Sequence, residues 1–513
     1  VAVRTTPDAG LGERALPRAL TDLLWTTPFL VLYWVQLAHH QLWRDELNAF
    51  GIAASAGTFR HLIFLVHYEG HPWLWYALLW LVGKATLQPV GMKLLQAAIG
   101  TAIYLLIGLA SPFSRLEKLA LFLCYFVCFE YTVPSRMYGL MLLFALLYVR
   151  RRALKPAAAG GNAVLLGVLA NTDMTGLVLS GALLLEFAFS VWKARRGTQE
   201  AALKDGGPKR LAGAMAIYCA LAFLSIFTLW PTKDISSRTT GKPFQLASLE
   251  NTAGAAMNYV EIPYFATMTG IPGEFWNTYS FRHRIFFKLG LPVILLLYWL
   301  CLRRHGNLLV LLGAACVCMV LVGDLLYMGN MRNFGTTFVA FLACLWLMRA
   351  AGERIPWAGM VLLGLTVLAG VDAEAEQWMR PFSNARNTAM WLEQQGLGGL
   401  PWVGSKDTST IGVAEQARHP LYMLECNCTD TFLLFGKRRD QFDRTEIATR
   451  LALARTNLRA PRMVYIGTLP LSDGEATVLR AEGFSIEPLR NFEGAEVPEE
   501  DFYTYELDSG GGS

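Results

Sequence analysis

Trp43-Arg44-Asp45-Glu46 places two adjacent carboxylates beside an arginine, directly after the first long apolar stretch of the chain. Ionisable groups at membrane-surface depth are functional candidates by default. The bland alternative is a pair of solvated interface charges held by Arg44. A second polar stretch, Val66-His67-Tyr68-Glu69-Gly70-His71-Pro72-Trp73, interleaves acid-base groups with aromatic rings. Aromatic faces with hydrogen-bonding neighbours suit a sugar ring or an isoprenoid tail. An ordinary aromatic belt would account for the tryptophans, but not for His67, Glu69 and His71. His71 also precedes a helix start signalled by Pro72.

Two arginines complete the set. Arg136 lies in Glu130-Tyr131-Thr132-Val133-Pro134-Ser135-Arg136-Met137-Tyr138, and Arg332 in Met328-Gly329-Asn330-Met331-Arg332-Asn333. A guanidinium at a helix end can grip a phosphate through two parallel hydrogen bonds. Snorkelling, or for Arg136 pairing with Glu130, is the competing reading. Cys426 and Cys428 form a Cys-x-Cys in a polar region without two further ligands at zinc-site spacing. They read as unpaired or locally paired cysteines.

The elements that must hold these residues are apolar. Of 513 residues, 54% are hydrophobic and 17% charged, against roughly 25% charged in soluble domains. A net charge of +5 does not suggest a nucleic-acid partner. Seven of the nine cysteines sit in apolar runs, where cysteine acts as a small hydrophobe. Apolar segments fall at 23–43, 72–87, 91–110, 118–133, 136–150, 161–171, 174–192, 211–230, 286–302, 307–327, 333–349 and 356–371. The first is too long for a cleaved leader and reads as a signal anchor.

Basic clusters test the count, because cytoplasmic loops carry the excess of Lys and Arg. They occur at Arg150–Arg152, Lys193–Arg210, Arg303-Arg304, and Arg349 with Arg354. With a cytoplasmic N-terminus, all fall inside only if 72–87 does not cross. That segment is short, Trp-rich and carries Lys84, as expected of a helix lying in the interface. Segment 161–171 ends at Asn171-Thr172-Asp173 and reads as an incomplete span meeting a polar cavity.

The expectation is a polytopic α-helical membrane protein with about eleven spans over 20–371. Its first outer loop is 44–90 and a second outer loop is 231–285, where Arg238, Lys242, Tyr259 and Tyr264 could reach a site from above. Strand-like runs at Trp402–Gly404, Met463–Gly467 and Phe484–Pro488 alternate with helical ones at Arg386–Gln395 and Arg444–Arg455. They predict an extracytoplasmic α/β domain over 372–508. Residues 509–513 read as a linker-type tail. No internal repeat is visible.

In this order and spacing, an acidic pair after span one, a Gly-His-Pro segment opening a juxtamembrane helix, and Arg-x-Tyr at the outer end of a later span, the chain resembles the GT-C glycosyltransferases over roughly 20–350. The similarity is greatest to the protein O-mannosyltransferase and aminoarabinose-transferase type. The family's His-Pro-Pro is His71-Pro72-Trp73 here. The resemblance implies a GT-C-like fold and inverting transfer of a sugar from a polyprenyl-phosphate donor to an acceptor glycan, lipid or protein. It implies Asp45 as general base. Glu46, His67, Glu69, His71, Arg136, Tyr138 and Arg332 would bind donor or acceptor, the two arginines neutralising the leaving phosphate. No metal is then required, although Asp45, Glu46 and Glu69 have the chemistry to ligate one. The implied setting is a bacterial inner membrane with the site facing the periplasm, among membrane lipids. A transporter or flippase of a lipid-linked substrate, or a non-catalytic assembly factor, are the alternative functions.

Overall fold

The computed structural model describes residues 11–156, 158–196, 208–233, 249–267, 278–279, 284–327, 329–436, 439 and 442–510. The helices are α1 (Leu11–His39), α2 (Arg44–Ser55), α3 (Phe59–Val66), α4 (Trp73–Ala85), α5 (Val90–Ala110), α6 (Arg115–Leu123), α7 (Tyr138–Leu154), α8 (Ala159–Ala170), α9 (Met174–Arg196) and α10 (Pro208–Leu229). They continue with α11 (Leu249–Ala256), α12 (Arg284–Leu302), α13 (Gly306–Leu325), α14 (Met331–Phe334), α15 (Thr336–Ala350) and α16 (Trp357–Met379). Among the described residues, six stretches are long and apolar enough to cross a membrane: Val90–Ala110, Met174–Lys193, Lys209–Leu229, Gly306–Leu325, Met331–Ala350 and Trp357–Met379. Ala159–Ala170 and Leu289–Leu302 are shorter apolar helices.

The stretch 44–90, expected as a first outer loop, is not a loop in structure. It folds into α2, α3 and α4, separated by tight turns. Helix α4 has 13 residues, about 20 Å of helix, which falls short of a hydrocarbon core about 30 Å thick. Gly83 of α4 lies on Ala54 of α2, where an added Cβ would come within 3.0 Å of the Ala54 Cα. The missing side chain is what lets the two backbones approach.

The expected continuous segment 118–133 is broken. Helix α6 ends at Leu123, Cys124 is extended, and Phe126–Glu130 forms a π-helical turn. The reason lies across the interface. Helix α16 presses Gly370 onto this point, with room for no side chain beside the Leu123 carbonyl and the Tyr125 amide. The freed backbone groups are taken up locally by Val127 and Cys128 amides bonding the Cys124 carbonyl.

After α16 the chain forms α17 (Ala385–Gln394), α18 (Asp407–Ala417), α19 (Ile447–Leu458) and α20 (Asp473–Ala481) around a sheet. Besides the two-residue pair β1 (Ala266–Thr267) and β2 (Thr278–Tyr279), the strands are β3 (Trp402–Gly404), β4 (Leu421–Met423), β5 (Cys428–Asp430), β6 (Arg462–Gly467), β7 (Ser485–Phe492) and β8 (Phe502–Asp508). Their order is β5-β4-β3-β6-β8-β7. β3 runs parallel to β4 and β6, while the outer pairs are antiparallel. The three strand-like runs of the sequence fall on β3, β6 and β7. β4, β5 and β8 were not foreseen. Cys426 and Cys428 are joined in a local disulfide at the β4–β5 turn.

This α/β unit is packed against the helical module. Helix α18 lies along α2, and Gly51 of α2 faces Glu415 and Phe432, with a Cβ there only 2.9 Å from the Glu415 carboxylate.

Candidate active site

Asp45 is the second residue of α2, where a negative side chain also suits the positive helix end. The start of this helix is closed by its neighbour. Glu46 accepts from the Trp43 N–H at 3.0 Å, from His40 Nε2 at 3.0 Å and from the Ser135 N–H. Its side chain is fully buried. Glu46 therefore ties together α1, α2 and the turn before α7. It was expected to touch donor or acceptor. In this arrangement its oxygens are spent on the scaffold.

That tie brings the two expected phosphate arginines to Asp45. Arg332 Nη2 lies 2.9 Å from Asp45 Oδ2, and Arg136 Nη1 donates to the Asp45 backbone carbonyl. Oδ1 of Asp45 makes no hydrogen bond to the described residues, and the side chain keeps 28% of its surface open. Burial raises the Asp45 carboxyl, but the charges of Arg332, Arg136 and Arg44 outweigh it and hold the group below the usual aspartate value. Asp45 is thus ionised at neutral pH.

Each arginine is aimed by aromatic and amide neighbours. The Trp43 ring has Arg332 5.4 Å and Arg44 5.6 Å from its centroid, within cation–π range. Tyr131 donates to the Arg332 carbonyl at 2.8 Å and stacks on Tyr138, whose hydroxyl accepts from Asn333 at 3.4 Å. Tyr138 so supports the shell around Arg332. Gln96 of α5 fixes the turn carrying Arg136 by bonding the Tyr131 and Thr132 carbonyls at 3.1 and 3.0 Å.

A relay stands behind Arg136. Asp173 takes the Thr175 amide and hydroxyl on one oxygen, at 3.0 and 2.7 Å, and meets His71 Nδ1 on the other at 3.0 Å. His71 Nε2 then faces Arg136 Nη2 at 3.5 Å. A guanidinium only donates, so Nε2 must present its lone pair and Nδ1 carries the proton toward Asp173. The polar break at Asn171-Thr172-Asp173 is therefore part of the site. Asn171 also accepts from Trp73 Nε1 at 2.7 Å. Glu69 joins the same group. Its Oε2 accepts from Tyr76 at 3.0 Å, while Oε1 is buried with no partner among the described residues. Burial pushes its carboxyl up to about 7, with Tyr76 and Arg136 pulling down and Asp45 pushing up.

His67 does not join. It bonds the Trp230 carbonyl at 2.8 Å and sits edge-on to Phe227, joining α3 to the end of α10. Of the loop residues expected above the site, Arg238 and Lys242 lie outside the described residues. Tyr264 is buried, bonded to Tyr298 at 2.8 Å, and packs against Phe338 and Phe341 of α15. Tyr259 packs edge-on to Phe334, two residues from Arg332. Two acids within spans, Glu186 and Asp324, are committed elsewhere. Glu186 meets Arg152 at 3.6 Å and Asn307 at 3.0 Å, and Asp324 accepts from Thr252 at 2.6 Å. No group of three or more His, Cys, Asp or Glu suited to a metal ion occurs among the described residues.

The α/β unit reaches the site through Arg44. Its Nη1 donates to Ser409 at 2.6 Å and pairs with Glu499, and its backbone N–H donates to Glu500 at 3.3 Å. Asn48 exchanges both hydrogen bonds with the Leu433 backbone, at 2.7 and 3.2 Å. Sequence reasoning named Arg44 only as a partner for the acidic pair and Asp173 only as part of a polar break, and it passed over Ser409 and Glu499. Only Asp173 had a local signal, being an acid between two apolar runs.

No family model matches the chain, and no curated protein matches it. Among solved structures, the crystal structure of ArnT from Cupriavidus metallidurans bound to undecaprenyl phosphate is similar. It is 13% identical, with 94% of this chain and 97% of that chain covered and a TM-score of 0.46.

Proposed function

We propose that this chain transfers a sugar from a polyprenyl-phosphate donor to an acceptor hydroxyl or amine on the outer face of a membrane, with inversion. The observation that carries the reading is the Asp45–Arg332 ion pair with Arg136 lodged on the same residue's carbonyl. One ionised carboxylate with a free oxygen and two clustered guanidiniums match the two ends of such a displacement.

In this reading Asp45 Oδ1 takes the proton of the acceptor as its oxygen or nitrogen attacks the anomeric carbon. The bond from that carbon to the phosphate oxygen breaks, and its electron pair leaves with the polyprenyl phosphate. Arg332 and Arg136 neutralise the charge that develops there, which counts for more in a partly dehydrated site than in water. Asp173 and His71 hold Arg136 in place, and Glu46 holds the helix that carries the base. Two fixed guanidiniums fill the electrostatic role, so the mechanism calls for no metal.

The test uses the full chain in lipid nanodiscs with polyprenyl-phosphate donors bearing radiolabelled sugars, scoring label moved to acceptor lipids, glycans or peptides. Transfer by the wild-type chain and its loss in Asp45→Asn would support the reading. Donor translocation across vesicles without bond cleavage would instead select the flippase alternative.

A further inference from the structure

A crevice that none of Asp45, Arg136 and Arg332 lines has a volume of about 520 Å³ and lies between α1, α5 and the helices α17 and α18. Its floor is one face of α5, Val90, Leu94 and Ala97, at helical spacing, facing Trp34 and Leu37 of α1. These apolar side chains lack protein cover: Leu94 is 67% and Val90 55% exposed. Its upper rim is cationic. Lys93 Nζ donates to the Ala38 and His40 carbonyls at 3.0 and 2.7 Å, which fixes the ammonium at the mouth. Arg386, exposed at the start of α17, makes no hydrogen bond or ion pair with any described residue. Among the described residues no carboxylate lines the crevice. Gln41, Gln88 and Gln416 add amides at the same level.

We infer that this crevice binds an anionic phospholipid of the outer leaflet, with its phosphate between Lys93 and Arg386 and its acyl chains along the exposed face of α5. Charge complementarity and the vertical order of the lining decide the occupant. Cations and amides stand near the first turn of the apolar helix α5, and apolar side chains of α5 and α1 continue from them along the helices. Basic pockets beside membrane helices take lipid headgroups in this way. A free inorganic anion would leave the apolar wall uncovered. The site is separate from the Arg136–Arg332 pair and independent of the sugar-transfer reading. Its occupant would join the helical module to the α/β unit, since Arg386 and Gln416 belong to the latter. It would also back His40, which on its other face holds Glu46.

The experiment is native mass spectrometry of the full chain in neutral detergent, titrated with phosphatidylglycerol or phosphatidylcholine. The wild type should retain phosphatidylglycerol preferentially. Arg386→Glu should weaken that binding about tenfold and leave phosphatidylcholine unaffected. Leu94→Trp, which keeps both cations and fills the groove, should weaken it as well. Inorganic phosphate should not displace the lipid, and Arg136→Ala should not change its affinity. Unchanged phosphatidylglycerol binding in both crevice variants would overturn the inference. So would loss of binding in Arg136→Ala alone, or full displacement by inorganic phosphate.

Discussion

Asp45→Asn separates proton transfer from phosphate binding, because the two respond to the lost charge in opposite directions. The amide keeps the size of the carboxylate and can still accept from Arg332, so α2 and its Glu46 closure remain. A positioned general base contributes roughly 10²- to 10⁴-fold, and the transfer rate should fall within that range. Phosphate affinity should rise. In the wild type a phosphate on Arg332 would stand roughly 6 Å from the Asp45 charge. At an effective dielectric near 20 that repulsion is about 3 kcal/mol. The side chain is 28% exposed, so solvent screening reduces it to about 1–1.5 kcal/mol, close to tenfold in affinity. Two assays on one preparation decide the matter: single-turnover transfer of radiolabelled sugar, and binding of a short-chain polyprenyl phosphate. A rate within threefold of wild type, or weaker phosphate binding in the variant, would refute the assignment of Asp45 as base facing a phosphate held by Arg332.

Asp173→Asn should invert the His71 tautomer and turn an N–H toward Arg136. Losing a hydrogen bond to a buried charge is worth about 1.5–3 kcal/mol, so polyprenyl-phosphate affinity should drop roughly 10- to 100-fold. In a double-mutant cycle with His71→Ala the losses should be strongly non-additive. Arg44→Ala removes the side-chain bonds to Ser409 and Glu499, and the melting temperature of the full chain should fall. Glu499→Gln should lower it as well, and the double variant should lose less than the sum of the two, whereas independent, additive losses would count against Arg44 as the domain clamp. Burial pushes Glu500 up to about 8 from the ordinary 4.5, with Arg44 and Ser383 opposing. The folded state therefore holds this proton more tightly than the unfolded chain. Its stability contribution is full below about pH 4.5 and is lost as pH rises through about 8. Thermal melts across that window should slope downward in the wild type, and more gently in Glu500→Gln. Identical slopes would show that Glu500 is not the titrating group.

The sequence alone determined the helical character of the chain. Apolar runs of bilayer length between basic clusters leave few other solutions, and six such helices stand among the described residues. It also marked β3 within the C-terminal unit, because Trp402-Val403-Gly404 is a short run between turn-forming residues. It singled out Asp45, Glu69, His71, Arg136 and Arg332, because charged groups beside apolar runs are costly and conspicuous. Side-chain direction was not legible. Asp45 and Glu46 are neighbours of like type, yet consecutive helical residues point about 100° apart, and only the packing of α1 and the turn before α7 decides which one is buried. The three-residue strands β4 and β5 carry too few residues for a period to register. The break at Cys124 depends on α16 pressing from the far end of the chain. The pairs Asp45–Arg332, His71–Asp173 and Arg44–Glu499 join segments distant in sequence. A charge pattern records that each residue needs a partner. Which partner it receives is fixed only when the helices and the α/β unit close around α2.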